Sequence, residues 1–461
     1  VLKTRHLSAK NFKPDRAIII ELLFLTLCFL FYFTWSMSQL FDSCPDEYMR
    51  YLIPKYIYLN DSLPLGQDAS IRSNLWGDSY GFGPMFPAII AAFFMKITSF
   101  FSTGDFHLLM AARMVSILSS VGTVFIIIRL SKRLFKDNTR FLFIALIAFW
   151  PQYAFISTYV NNDALSIFST ALIVYFWVRG LETRWNIKSC VGLSIGISIC
   201  LMSYYFAYGF ILVSILIFFW TNLRWRSGRD DTKLLLKKTA LIVALVCAMA
   251  GWQFIRNWVL YGDLFGLRIE SYYSEIYATS SLKPSVRVTP EKSGMSLMSM
   301  IFEKGWLKHS YTSFIGYFGY MSIPLNEWMY RFYTAVFGVG VCGCVLTLAR
   351  RLALRIKSKK ARAKVLITSI LRDPAFNVSI LIAALIPPAL SCYYSYCFDY
   401  EPQGRYWMTM IIPAMYITAK GFEHITKYAR AAKSPILCCA SLSVIFIAFS
   451  CLFQIIPQYI F

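Results

Sequence analysis

The ten residues FDSCPDEYMR, Phe41 to Arg50, place three carboxylates just beyond the first long apolar run of the chain. Asp46 and Glu47 are adjacent, Asp42 precedes them, and Pro45 fixes the backbone directly before the pair. Carboxylates at a membrane edge are costly unless water, a cation or a substrate hydroxyl meets them. An ionised carboxylate within reach of a hydroxyl can act as a general base. Its chemical counterpart is a guanidinium that takes up the negative charge of a departing phosphate. Two arginines stand at the ends of apolar runs: Arg405 in QGRYW (Gln403 to Trp407) and Arg256 in RNWVLYG (Arg256 to Gly262). Such a set suits transfer of a group from a lipid phosphate to a hydroxyl. The leaving group is already a phosphate and needs no acid, while the acceptor hydroxyl gains from a base.

On this reading Asp46 or Glu47 is the base, Arg405 binds the phosphate, and Arg256 is a second phosphate candidate. Asp42, Asn162, Asp163 and Tyr406 complete the polar set at the same helix ends. Each assignment has a plainer alternative. The acidic pair can be ordinary loop charge, Arg405 a side chain reaching up to the interface, Arg256 a helix-end cap, and Asp163 the favourable negative charge opening the next helix. The aromatic residues Trp306, Tyr311, Phe314, Tyr317, Phe318 and Tyr320 suit sugar stacking or an interfacial belt equally well.

The elements that must position these residues are membrane helices. The chain of 461 residues is 57% apolar and only 15% charged, with a mean hydropathy of +0.53. That composition excludes an ordinary soluble domain. Apolar runs predict an all-α polytopic protein of about eleven spans: Ala17–Leu40, His107–Ile128, Phe141–Thr158, Ala164–Val178, Ser189–Met202, Tyr208–Trp220, Thr239–Val259, Trp328–Leu348, Pro374–Ser391, Met408–Ala419 and Ile436–Ile456. A tail over 1–16 precedes a single membrane domain, 17–461, with a first outer loop at 41–104 and a long outer loop at 260–327.

The net charge of +22 would suggest nucleic acid in a soluble protein. Here it follows from basic cytoplasmic loops. If Pro84–Phe101 lies on or re-enters the outer face, most of the 46 basic residues fall on one side together with the N-terminus. The opposite side, where the acidic pair lies, is then extracytoplasmic. Apart from Glu21, no acidic residue sits well inside an expected span, which disfavours a proton-coupled transporter. The twelve cysteines lack the spacing of a zinc site. Cys44, Cys392 and Cys397 fall near the outer face, where a disulfide is open to them. Asp42, Asp46, Glu47 and Asp163 offer oxygen ligands to a divalent cation without a spacing that demands one.

PDE after the first span, NNDAL at Asn161–Leu165, RNWVLYGD at Arg256–Asp263, SFIGYFGYMSIPL at Ser313–Leu325 and QGRYW resemble, in this order, a family of bacterial membrane proteins encoded with cell-surface polysaccharide genes. That family is assigned to the GT-C glycosyltransferase superfamily, which includes protein O-mannosyltransferases and aminoarabinose transferases. The resemblance implies interfacial helices in the first outer loop, a polyprenyl-phosphate sugar donor, and a glycan or lipid acceptor at a bacterial plasma membrane. It also implies catalysis by the first acid of the pair, Asp46, and some members use a divalent metal. Several relatives open the interfacial helix with Lys-Pro-Pro; here the stretch reads GFGPMFP, Gly81–Pro87, without the lysine. Two other classes fit an outward polar cavity: a flippase for a lipid-linked glycan and a non-catalytic scaffold of an assembly complex.

Overall fold

The computed structural model describes residues 16–357, 373–428 and 432–460. The expected tail, apart from Arg16, and the basic stretch after residue 357 lie outside the described residues. The described chain is helical apart from one short hairpin. It opens with α1 (Arg16–Ser38), α2 (Glu47–Asn60), α3 (Phe86–Ser99), α4 (Asp105–Leu134), α5 (Thr139–Ala148), α6 (Pro151–Ile156), α7 (Asp163–Thr183) and α8 (Ile187–Leu201). It continues through α9 (Gly209–Trp225), α10 (Arg229–Tyr261), α11 (Leu267–Tyr277), α12 (Leu297–Phe302) and α13 (Trp306–Gly316). The strands β1 (Tyr317–Phe318) and β2 (Ile323–Pro324) follow, then α14 (Glu327–Lys357), α15 (Pro374–Cys397), α16 (Ile411–Thr426) and α17 (Lys433–Ile460).

Among the described residues eight helices, not the expected eleven, are long and apolar enough to cross a membrane: α1, α4, α7, α9 with its preceding turn, α10, α14, α15 and α17. The expected spans at Phe141, Ser189 and Met408 fail for a physical reason. Helices α5, α8 and α16 have 10, 15 and 16 residues, and at 1.5 Å per residue even the longest reaches only about 24 Å of a hydrocarbon core about 30 Å thick. These helices are largely buried by their neighbours, so protein rather than lipid surrounds their apolar faces. Helices α5 and α6 lead from the Asp137–Lys433 pair to Val160, whose amide meets Glu47. Helix α8 leads from Ser189, bonded to Thr183, to Ser203, whose carbonyl accepts from Asn162. Helix α16 leads from Arg405 towards the Lys420–Glu423 pair.

Helices α4 and α7 form the buried centre, while α1, α10 and α14 keep most of their surface exposed. Helices α14 and α16 touch backbone to backbone: a Cβ on Gly421 would fall 1.7 Å from the Gly340 carbonyl oxygen. Small residues at a crossing permit this close van der Waals approach. The run Pro84–Phe101 becomes α3, only 14 residues long, packed on α2 and α4. Ion pairs rich in Lys and Arg occupy the bundle end opposite the acidic pair, including Glu21 with Arg129 and Lys132, Glu182 with Arg133, and Arg224 with Asp373. Cys44, Cys392 and Cys397 are free thiols, Cys44 fully buried, so the disulfide open to them does not form.

Candidate functional site

Pro45 and Asp46 turn the chain from α1 into α2. Asp46 occupies the N-cap with φ 62 and ψ 7, a left-handed conformation that Asp tolerates better than most side chains. An N-cap Asp ordinarily accepts from the first amides of its helix. Asp46 does not, and its carboxylate is free to turn elsewhere. It accepts from Arg405 Nη2 at 2.5 Å across 359 residues of sequence. Arg405 reaches it from a 3₁₀ turn, Gly404–Met410. That turn packs so closely on α13 that a Cβ on Gly404 would lie 2.0 Å from the Phe314 amide nitrogen. Only glycine fits there, which is what the G of QGRYW contributes.

Around the pair stand further residues of its own two segments and of three others. Arg405 also donates to the Tyr406 hydroxyl at 3.2 Å, which in turn donates to Glu401. The Tyr406 ring stacks on Phe206 with centroids 4.7 Å apart. Arg50, one turn along α2 from Asp46, lies 3.9 Å over the ring of Tyr80 and 5.6 Å from that of Tyr204. Asp163, at the start of α7, is buried and faces the charges of Arg50 and Arg405. The site is therefore a charge-alternating floor built by α1–α2, the loop before α3, α7, the loop before α9, and the turn before α16.

Electrostatics sort the acids. Burial works to raise the Asp46 carboxyl, but Arg405, then Arg50, and hydrogen bonds from Arg405 and Tyr80 outweigh it and hold it below the ordinary Asp value. Though deeply recessed, its side chain keeps 26% of its surface exposed. Burial raises Glu401 despite Arg405. Burial and the nearby Asp78 push Glu270, on α11, up to about 8. Burial lifts Asp78 itself to about 6 against Arg287. Asp78 belongs to the loop before α3 and Glu270 to α11, segments whose convergence no local sequence signal discloses.

Glu47 has a different setting from Asp46. Its side chain and that of Arg113 on α4 are both 0% exposed. Arg113 Nε and Nη2 each donate to it at 2.8 Å, the Val160 amide donates to Oε1 at 3.0 Å and the Asp42 amide to Oε2 at 3.2 Å. Its lone pairs are thus occupied by four donors from the protein itself. Arg113 also donates to the carbonyls of Ser36, Gln39 and Leu40, tying α1, α2 and α4 together. The signal that leads to this pair is Arg113 itself, a charge inside an expected span that must find a partner.

Of the remaining expected residues, Asp42 accepts from the Tyr320 hydroxyl at 2.7 Å, which brings the β1–β2 hairpin of the SFIGYFGYMSIPL stretch against the acidic segment. Asn162 donates to the carbonyls of Pro84 and Ser203. Arg256 donates to the Pro64 carbonyl at 2.7 Å and forms no ion pair with a described residue, so the structure does not bring it into the Asp46–Arg405 pair. The four acids offered to a divalent cation do not fit one. Arg405 holds Asp46, Arg113 holds Glu47, and Asp42 faces Tyr320, so no group of three metal-ligating side chains forms among the described residues.

A family model described as dolichyl-phosphate-mannose-protein mannosyltransferase matches residues 83–252. No curated protein sequence matches the chain. Among solved structures, the archaeal oligosaccharyltransferase AglB from Archaeoglobus fulgidus, in complex with an inhibitory peptide and a dolichol-phosphate, aligns with a TM-score of 0.56 at 12% identity, over 96% of this chain and 56% of that one. The Archaeoglobus fulgidus oligosaccharyltransferase in complex with Zn and sulfate gives 0.54 at 14% identity, over 94% and 52%. ArnT from Cupriavidus metallidurans in the apo state gives 0.43 at 13%, over 90% and 79%. The chain spans little more than half the length of the oligosaccharyltransferases it matches. The bundle that positions Asp46 against Arg405 thus shares its fold with these oligosaccharyltransferase structures, and its residues 83–252 match the mannosyltransferase family model.

Proposed function

We propose that this protein transfers a sugar from a polyprenyl-phosphate-linked donor to a hydroxyl of a glycan or lipid acceptor, with inversion at the anomeric carbon. The observation that carries this is the Asp46–Arg405 contact at 2.5 Å. It joins a carboxylate kept ionised to a guanidinium in a recessed, solvent-reachable place at a bundle end. The basic ion pairs of the opposite end support reading that end as cytoplasmic and the reaction as extracytoplasmic, at a bacterial plasma membrane.

The chemistry follows from the two groups. The acceptor oxygen attacks the anomeric carbon while its proton passes to the Asp46 carboxylate. The bond from that carbon to the phosphate oxygen breaks, and the electron pair leaves with the phosphate. Arg405, hydrogen-bonded to Asp46 before substrate arrives, meets that growing negative charge. As the phosphate draws the guanidinium towards itself, Asp46 loses the partner that lowers its proton affinity and becomes a better base at the moment one is needed. Glu47, with every lone pair occupied, supports the position of Asp46 rather than the reaction, and Tyr406 and Glu401 keep Arg405 aimed. Asp163 is buried within electrostatic range of Arg405 and Arg50.

Asp46→Asn tests the proposal. Purified variant protein, given a polyprenyl-phosphate sugar and acceptor, should fold normally and lose transfer by ~10²–10⁴-fold. Undiminished transfer refutes the role of base, and movement of lipid-linked glycan across a bilayer without a new glycosidic bond supports a flippase instead.

A further inference from the structure

We infer that Arg50, rather than Arg405 alone, seats the phosphate of the lipid-linked donor, in the crevice between α2, α3, α4 and the start of α7. This rests on the transfer reaction proposed above and assigns its anion site. Arg405 is engaged by Asp46 and Tyr406. Arg113 is engaged by Glu47 and three carbonyls. Arg50 differs from both. It is 6% exposed, yet among the described residues its guanidinium forms no ion pair and donates no hydrogen bond; its contacts are the rings of Tyr80 and Tyr204.

Stacking over an aromatic ring offsets only part of the cost of withdrawing an ion from water. Such a group is balanced when an anion arrives with acceptor oxygens. Asp46 and Asp163 lie within electrostatic range, but Asp46 is held by Arg405, and no acid approaches Arg50 within 4.0 Å among the described residues.

The crevice that Arg50 lines is tight in this structure, with about 10 Å³ of water-accessible space, so a ligand enters only as its walls part. Its polar side carries Ser116, Asn161 and Asn162; its other side is small and apolar, with Ala88 and Ala91 of α3. The polar neighbours are already engaged: Ser116 donates to the Tyr159 carbonyl, Asn161 to those of Ile156 and Tyr159, and Asn162 to those of Pro84 and Ser203. Arg50 therefore supplies the open donors. A head of negative oxygens followed at once by hydrocarbon matches such a wall, which is the chemistry of a prenyl phosphate.

The test uses the full chain in lipid nanodiscs and three probes: farnesyl phosphate, inorganic phosphate and farnesol. Farnesyl phosphate should bind the parent. Arg50→Gln should weaken it at least tenfold and Arg50→Lys less, with KM for the donor rising more than kcat falls. Farnesol should bind both proteins weakly and equally. Ala91→Leu, which keeps Arg50 and fills the apolar side, should weaken farnesyl phosphate and leave inorganic phosphate unchanged. Equal binding of farnesyl phosphate to parent and Arg50→Gln overturns the assignment while leaving the transfer proposal standing. Failure of the parent to bind it at all overturns both. Inorganic phosphate binding as tightly as farnesyl phosphate overturns the lipid source of the anion.

Discussion

Two neighbouring carboxylates with opposite settings allow a decisive experiment at Glu47. Glu47→Ala leaves Arg113 charged and fully enclosed, still holding the Ser36, Gln39 and Leu40 carbonyls but without a counter-charge. Removing one partner of a buried ion pair costs about 3–5 kcal/mol, and the buried Val160 amide, which loses its acceptor, adds about 1–3 kcal/mol. Glu47→Ala should therefore lower the stability of the bundle by roughly 4 kcal/mol or more, read as a lower midpoint of thermal unfolding in nanodiscs. Glu47→Gln, which keeps an acceptor but no charge, should fall between. The paired change Glu47→Leu with Arg113→Met removes both charges and should recover most of the loss. Sugar transfer, scored on the folded fraction, should follow stability throughout this series. Glu47→Gln with an unaltered unfolding midpoint and no transfer would refute the clasp and return Glu47 to the chemistry.

Other outcomes follow from the same geometry. Arg405 holds Asp46 below the ordinary carboxylate range, so kcat/KM should stay level as pH falls through that range. Arg405→Gln should shift the acid limb to higher pH as well as lowering the rate, and an unmoved limb would separate the two groups. Glu270, pushed up to about 8, binds its proton more tightly when folded than when unfolded. Its contribution is whole at acid pH and is lost as pH rises through about 8, so Glu270→Gln should flatten the fall in unfolding midpoint between pH 6 and pH 9. Gly404→Ala would drive a Cβ to 2.0 Å from the Phe314 amide nitrogen, displacing Arg405. Transfer should fall at least tenfold while a Gly228→Ala control, where nothing lies within 4 Å, stays active.

Much of the architecture was legible because apolar runs long enough to cross a bilayer say little else. The eight long helices and the placing of FDSCPDEYMR and QGRYW at one end of the bundle follow that logic. The expectation of eleven spans exceeds the eight because an apolar run does not disclose whether lipid or protein surrounds a short helix. Helices α5, α8 and α16 are as apolar as their neighbours, but they are enclosed by protein and need not match a hydrocarbon thickness. Asp46 and Arg405 were legible as isolated polar residues beside apolar sequence. Tyr80, Tyr204, Glu270 and Glu401 were not, because segments distant in sequence carry them and only the folded chain brings them together. Arg50 lies inside FDSCPDEYMR, but its spacing from Asp46 and Glu47 does not disclose which of the three charges pair.

Why those acids do not partner Arg50 is the deepest point of the site. Asp46 sits in a left-handed N-cap and Glu47 opens the helix behind it, so consecutive side chains diverge: one to α4 and the other to the turn before α16. Arg113 draws Glu47 into the core, and this fixes the first turn of α2. That turn in turn presents Asp46 to Arg405 and leaves Arg50, one turn further on, without an acid. Had Glu47 been free to reach Arg50, a neutral pair would have filled the place where an anion can bind. The buried clasp thus keeps one cation unpaired, so loss of Arg113 should change donor binding as well as stability. In Arg113→Met a released Glu47 can approach Arg50, and the KM for a prenyl-phosphate donor should rise. In Arg113→Met with Glu47→Leu, where no such acid remains, KM should return towards that of the parent. A KM unchanged in folded Arg113→Met would show that the clasp and the anion seat are independent.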